Sequence, residues 1–334
     1  MKRKTEGYLG ILLVVLTAAA LAGCLFQKPV STSYEIAPHK PEGKSISKTV
    51  LLVADNQLNH LYGDPMWMRS TMVDQVVSVA IRPVQQDLFA PDLLRWVMKN
   101  YGAAWPVIHL GDATNMACVG ELEAFFEIMA EGRKKWVMAP GNHDFFLLGN
   151  SQVNGEEWAS ACQRAKGPTT KDLFVRMYLM QLAGQFPELG RRYPDSFPEA
   201  GAWKAPNDSP DFLSAVAWQI DADRPWRSFI VQQLHLTLPG EKLRTYAILM
   251  DSTQYGSAPT LIPTNNAGTT GDMQAEQLET IEKWLADSPG KDSVTILMSH
   301  HPFGVLKKEV RGQIDRLRKH YNIPLFVSGH THHG

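Results

Sequence analysis

Six short apolar runs, each stopping on residues that can bind a metal, constrain this chain more than any other feature. They are "TVLLVAD" (49 to 55), "WPVIHLGD" (105 to 112), "WVMAPGNHD" (136 to 144), "TYAILMDS" (245 to 252), "VTILMSHH" (294 to 301) and "IPLFVSGHTH" (323 to 332). Uniformly apolar runs of this length read as buried strands. Between them lie helical patterns: "PDLLRWVMKNYG", "GELEAFFEIMAEG", and "DMQAEQLETIEKWLAD" with apolar positions at Leu278, Ile281, Trp284 and Leu285. Strand and helix alternate, so the expected class is α/β. In such sheets functional groups gather where strands end and loops begin.

The interval from about 150 to 240 breaks this rhythm. Between Gly149 and Gly240 it carries eight prolines, four of the nine tryptophans and the helical fragment "KDLFVRMYLMQLAGQF". It is expected to be an inserted, mainly helical cap outside the sheet. Its tryptophans and Arg191, Arg192, Arg224 and Arg227 either line a substrate cleft or serve packing and solvation.

The start of the chain follows a different logic. Lys2, Arg3 and Lys4 precede the apolar stretch "LGILLVVLTAAALAG", which ends at Cys24 and falls short of the roughly 20 apolar residues of a membrane span. This reads as a secretory signal segment over 1–23. "LAGC" resembles the lipobox of bacterial lipoproteins, which implies cleavage before Cys24 and its acylation, with palmitate among the acyl groups. Leu25 then favours the outer membrane, facing the periplasm, in a host with two membranes. Residues 24–48, rich in proline, serine and lysine, read as a tether, and the folded domain is expected over 49–334.

The whole chain of 334 residues is 44% hydrophobic and carries a formal charge of −1; losing three basic residues and Glu6 with the signal leaves −3. Such a balance supports a sizeable core and gives no reason to expect a nucleic-acid partner. Beyond Cys24 only Cys118 and Cys162 remain, and an exported location permits either a disulfide or two buried thiols.

Each strand-end motif is weak alone, since "GD" and "GN" commonly make turns. Their order is what counts: Asp55, Gly111-Asp112, "GNHD" at 141–144, "SHHP" at 299–302 and "GHTH" at 329–332. This resembles the calcineurin-like metallophosphoesterase family, with its D-x-H, GD, GNH(D/E), H and GHxH series, over roughly 49–144 and 245–334. The resemblance implies a four-layer sandwich of two mixed β-sheets flanked by helices. It also implies two divalent ions, whether Mn, Fe, Zn or Mg.

Carried over by position, Asp55, Asp112 and His332 hold the first ion, and Asp112, Asn142, His300 and His330 the second. A bridge needs a ligand with two oxygens, which Asp112 has; imidazoles and an amide complete the shells without neutralising the ions. His300 is preferred to His301 because it leaves the strand directly, two residues before Pro302. His143 is expected to face the substrate and protonate the leaving oxygen, with Asp144 orienting it. Such a site hydrolyses a phosphomonoester or phosphodiester by a hydroxide bridging the ions.

One departure from the pattern stands out: Gln57 occupies the histidine slot of D-x-H. It either ligates through its amide oxygen, yields to His60 from the next loop, or leaves a single tight ion. A non-catalytic binding lipoprotein, which Gln57 motivates, and a metal-dependent nuclease, which the resemblance admits because nucleases share the motif set, stand as alternatives to the hydrolase. Asn115 stands where purple acid phosphatases carry tyrosine, and the "GDxVDRG" of protein phosphatases is absent. Relatives usually continue with further strands past the last motif. In this chain either the 150–240 segment completes the second sheet or the chain is truncated.

Overall fold

The computed structural model describes residues 47–58, 84–102, 104–132, 134–145, 162–206, 211–257, 270–287 and 293–331. The chain divides into Met1–Lys44 and Ser45–Gly334, and every described residue belongs to the second unit. The signal segment, Cys24, His60, His332 and His333 lie outside the described residues.

All six expected strands are present. A first sheet has the order β1 (Leu51–Val53), β2 (Val107–His109), β3 (Trp136–Met138). The resemblance implied a mixed sheet here, but these three strands are all parallel. A second, six-stranded sheet runs in sequence order: β4 (Ala200–Lys204), β5 (Leu213–Gln219), β6 (Phe229–His235), β7 (Arg244–Leu249), β8 (Ser293–Ser299) and β9 (Leu325–Ser328). It is antiparallel from β4 to β7 and parallel from β7 to β9.

The helices are α1 (Val84–Asn100), α2 (Val119–Ala130), α3 (Lys171–Gln185), α4 (Pro187–Arg192), α5 (Ala275–Asp287) and α6 (Lys308–His320). Helices α1, α2, α5 and α6 are the crossovers that parallel strands require.

Two-residue periodicity splits the second sheet between two cores. Val216, Trp218, Ile230, Leu234, Ala247 and Leu249 join the core shared with the first sheet. Their neighbours Ala215, Ala217, Phe229, Val231, Ile248 and Met250 join a second core with α5 and α6. Burial on both faces is why these strands read as unbroken apolar runs. Helix α5 seals the outer core with Ile281, Trp284 and Leu285, and α6 with Val310, Ile314 and Leu317, each at helical spacing.

The cap expected over 150–240 needs correction. Three of the six strands of the second sheet come from this segment, so it completes the sheet instead of covering it. Helix α3, though correctly expected as a helix, buries Phe174, Val175, Tyr178, Leu179 and Leu182 in the inter-sheet core. Tyr178 Oη accepts the Met138 N–H (2.6 Å) and donates to Gln232 Oε1 (2.8 Å), while Gln232 Nε2 donates to the Met138 carbonyl (2.8 Å). This closed set of bonds ties α3 to a strand of each sheet. The signal that would have found β5 and β6 is the apolar runs "LSAVAWQ" and "FIVQQLH", flanked by prolines that cut the chain into short lengths.

Candidate metal centre

Asp55 follows β1, Asp112 follows β2, Asn142 follows β3, His300 follows β8 and His330 follows β9. Parallel strands thus deliver all five side chains to one end of the two sheets. The delivery is strained. Six described non-glycine residues have positive φ, and four of them are Asp55, Gln57, Asp112 and His330. Left-handed backbone costs about 1–2 kcal/mol per residue, and strain of this kind concentrates at sites that hold ligands.

Around the second position the donors converge on one point. His300 Nδ1 lies 3.0 Å from the Leu110 carbonyl, which only accepts, so this nitrogen carries the hydrogen. In the neutral ring Nε2 then carries a lone pair. It faces Asn142 Oδ1 at 3.0 Å, His330 Nδ1 at 3.0 Å and Asp112 Oδ2 at 3.4 Å. A carboxylate, an amide oxygen and two imidazole nitrogens directed at one another are what a divalent cation accommodates. The hydrogen bond from the far side of His300 to a carbonyl is the support that metal-binding histidines usually have.

Asp112 is buried and reaches both positions. Its Oδ1 accepts the His143 N–H at 2.8 Å and its Oδ2 accepts Gln57 Nε2 at 2.9 Å. Burial alone pushes this carboxyl up, but the rings of His300, His143 and His330 outweigh it and hold the group below the ordinary carboxylate range. Gly141 is obligatory beside it, because a Cβ there would lie 2.2 Å from Asp112 Oδ1.

At the first position Asp55 and Asp112 bring ligand atoms within 4.8 Å of each other and of His300 at the second. The backbone N–H of His330 donates to both Asp55 oxygens, at 3.2 and 3.0 Å. The tight turn of "GHTH" belongs to His330, at φ 76, while Gly329 serves close approach: its Cβ would meet Asp55 Oδ2 at 2.7 Å. Gln57 is buried next to Asp112, and its Oε1 has no hydrogen-bond partner among the described residues. Turning the amide over would aim Oε1 at Asp112, two acceptors face to face, which becomes favourable with a cation between them. The donors therefore fit an ion at each position.

The family profile for calcineurin-like phosphoesterases matches residues 89–334. The chain belongs to the calcineurin-like phosphoesterase family. Like other members of this phosphoesterase family it is a hydrolase of phosphoric esters that works with two divalent metal ions. The match takes in the 150–240 segment and begins after Asp55 and Gln57, where the chain departs from the motif series. No curated protein matches the chain. Among solved structures it is similar to a dimetal phosphatase from Danio rerio, at 13% identity and a TM-score of 0.44, over 86% of this chain and 82% of that one.

Beside the phosphoesterase metal positions, His143 is half-buried, and its Nδ1 lies 2.9 Å from the Asn115 carbonyl. This fixes the hydrogen on Nδ1 and makes Nε2 the nitrogen that exchanges a proton. The expected orienting role of Asp144 needs correction. Its carboxylate accepts the backbone N–H groups of Asp112 (3.1 Å), Gly141 (2.8 Å) and Thr114 (2.9 Å), and the Thr114 hydroxyl (3.3 Å). With its acceptor positions taken, Asp144 braces the two loops, and the Asn115 carbonyl orients the ring. Burial and the charge of Asp112 push Asp144 up to about 7, against the pull of those N–H groups.

Three features escaped sequence reasoning. His301 joins His300 and His330 in a second cluster of potential ligands, with Nδ1 2.9 Å from Ser252 Oγ and Nε2 without a partner among the described residues. His109 accepts the Gly111 N–H at Nδ1 (3.2 Å) and meets Asn56 Oδ1 at Nε2 (2.5 Å); burial brings its pKa down to about 3, so it is a neutral prop for both loops. Lys171 is fully buried against Asp251 (2.9 Å) and sits 4.1 Å from the ring centre of Phe145, the residue after "GNHD". A disulfide joins Cys118 to Cys162, resolving the alternatives the sequence left open.

Proposed function

We propose that this phosphoesterase acts at the cell envelope, tethered through an acylated Cys24, and hydrolyses a phosphomonoester or phosphodiester. The observation that carries the hydrolytic reading is the convergence of Asp112, Asn142 and His330 on His300 Nε2, with His143 on the adjoining loop. Asp55, Gln57, Asp112 and His332 would hold one ion, and Asp112, Asn142, His300 and His330 the other. When bound, the ions supply Lewis acidity toward phosphoryl oxygens and lower the pKa of water.

The remaining work falls to the protein. Asp144 keeps the 111–115 and 141–145 loops in register, so that Asp112 and His143 hold fixed separations. His143, its hydrogen at Nδ1 held by the Asn115 carbonyl, delivers a proton from Nε2 to the departing oxygen.

The disulfide supports export, because such bonds persist in oxidising compartments. No described helix is long and apolar enough to cross a membrane. The orphaned amide oxygen of Gln57 favours a second reading, a weakly loaded first position and a protein that binds phosphate esters more than it turns them over.

A phosphate-release screen across envelope lipids, nucleotides and sugar phosphates, with Mn, Mg, Zn and Fe in turn, separates the two when paired with metal analysis of the isolated protein. Turnover with two ions bound supports the hydrolase. One ion and only weak turnover with every metal would favour the second reading. Failure of the Cys24→Ser variant to lose radiolabelled palmitate would remove the anchor.

A further inference from the structure

At the end of the first sheet opposite the metal centre, apolar side chains that belong in a core stand in solvent. Leu93 (62% exposed) and Trp96 (53%) share one face of α1, three residues apart. Tyr101 (40%) and Trp105 (38%) continue that surface into the loop before β2. The rings form a continuous ladder, Trp96 edge-on to Tyr101 at 5.6 Å and Tyr101 stacked on Trp105 at 6.2 Å. Three interlocked aromatics exposed together are uncommon on a surface that meets only water.

The same end is where the chain comes into the domain. The Leu51 N–H donates to the Pro106 carbonyl at 2.9 Å, immediately beside Trp105, and the Lys48 N–H donates to the Leu236 carbonyl at 2.7 Å. Only 22 residues lie between Cys24 and Ser47. As a linker this length has a typical reach on the order of 30 Å. Cations flank the ladder: Lys99 lies in the last turn of α1, and Lys134 is pinned to it by a bond from its N–H to the Gly102 carbonyl (3.1 Å); both are exposed and neither has an ion-pair partner among the described residues. Arg95, which would add to the positive charge, is paired with Glu131 and Asp92.

We infer that this ladder seats on the lipid bilayer into which the Cys24 anchor inserts, an inference that rests on the anchored reading above. Tryptophan and tyrosine favour the bilayer interface because each has an apolar body and a polar edge, and Lys99 and Lys134 face anionic headgroups. The patch is too small to hold a free protein on a membrane, but the tether keeps it at high local concentration, where a weak contact suffices. Strand polarity then fixes the orientation: β1, β2 and β3 start at the lipid and end at the metal centre, so the site opens away from the anchoring membrane. A water-soluble ester, or a lipid presented from a facing surface, reaches it more readily than a lipid in the same leaflet.

The test uses the full-length acylated protein in phosphatidylethanolamine–phosphatidylglycerol vesicles whose acyl chains are brominated near the headgroup. Bromine quenches tryptophan on contact. Two of the nine tryptophans lie in the ladder, so the wild type is expected to lose about a fifth of its emission on brominated vesicles. Trp96→Gln/Trp105→Gln should float with the vesicles equally well and lose most of that difference, while its detergent-solubilised hydrolysis of nitrophenyl phosphate stays at the wild-type rate and certifies the fold. Wild type that floats without quenching overturns the seated ladder and leaves the anchor intact. Wild type that does not float overturns the anchor and the ladder together. A floated, unquenched protein whose light-scattering mass halves in the double variant assigns the ladder to a second copy of the chain and overturns the inference.

Discussion

At the metal position around Asn142, His300 and His330, each donor is buried or half-buried, and His300 is backed from behind by the Leu110 carbonyl. At the position around Asp55 and Gln57, an amide stands where imidazole is expected, and its oxygen has no partner among the described residues. Both share Asp112. The contrast shows that a site can be complete in its architecture and unequal in its chemistry: the strands deliver both positions, while the identity of a single side chain sets how tightly one of them holds its ion.

Removing the shared ligand should erase the contrast. Asp112→Asn takes a negative charge from both positions, so elemental analysis should find neither ion, and hydrolysis of nitrophenyl phosphate with Mn should fall by more than about a thousandfold, several kcal/mol of lost stabilisation. A variant retaining both ions would refute the bridge. His143→Ala should separate loading from turnover. It leaves every metal donor in place, so metal content stays near wild type, while turnover falls by roughly 10²–10⁴. Unchanged turnover sinks the proton-delivery role.

How much of this was legible follows the same division. Strand ends were readable because a strand buried on both faces leaves an apolar run with a sharp polar stop, which is how β1, β2, β3, β7, β8 and β9 were found. Asp112, Asn142 and His300 were readable only through the joint order of their motifs, since each motif alone marks no more than a strand end or a turn. β5 and β6 were equally apolar, but the prolines around them suggested irregular structure and hid a continuous sheet. Asp144 was read as a partner of its neighbour His143, whereas its hydrogen bonds reach about thirty residues back to Asp112 and Thr114. Such long-range bonds leave no periodicity to detect. The same holds for Lys171 and Asp251, 80 residues apart and paired beneath Phe145.

That buried pair offers a way to weaken the well-furnished position without touching a ligand. Lys171 Nζ donates to Asp251 Oδ1, the Thr253 carbonyl and, at 2.5 Å, Thr253 Oγ1. Lys171→Met keeps much of the volume and removes the charge, leaving the Asp251 carboxylate buried without its cation. Such a loss costs about 3–5 kcal/mol, to be read by denaturant unfolding. Phe145 then loses the group beneath its ring, and the loop carrying Asn142 and His143 should loosen. Metal affinity at the second position should therefore fall more than at the first. Equal loss at both would mean that the pair stabilises the fold without favouring that loop.

The smallest expected effect bears most directly on the inequality. Gln57→His places imidazole in the D-x-H slot, on a backbone already held at φ 43 and beside Asp112. Exchanging a neutral amide oxygen for a nitrogen donor should strengthen binding of zinc more than of magnesium, because borderline metals gain from imidazole and hard ones do not. An increase of about tenfold in zinc affinity at the first position, about 1.4 kcal/mol, is expected from competition with a coloured chelator. Magnesium affinity should stay within about twofold. Gln57→Ala supplies the opposite arm: if Gln57 contributes its oxygen to the ion, the alanine variant binds more weakly than wild type, and if it does not, the two are equal. An alanine variant equal to wild type together with a tighter histidine variant would mean that the natural side chain is only a spacer, and that the first ion rests on Asp55, Asp112 and His332 without it.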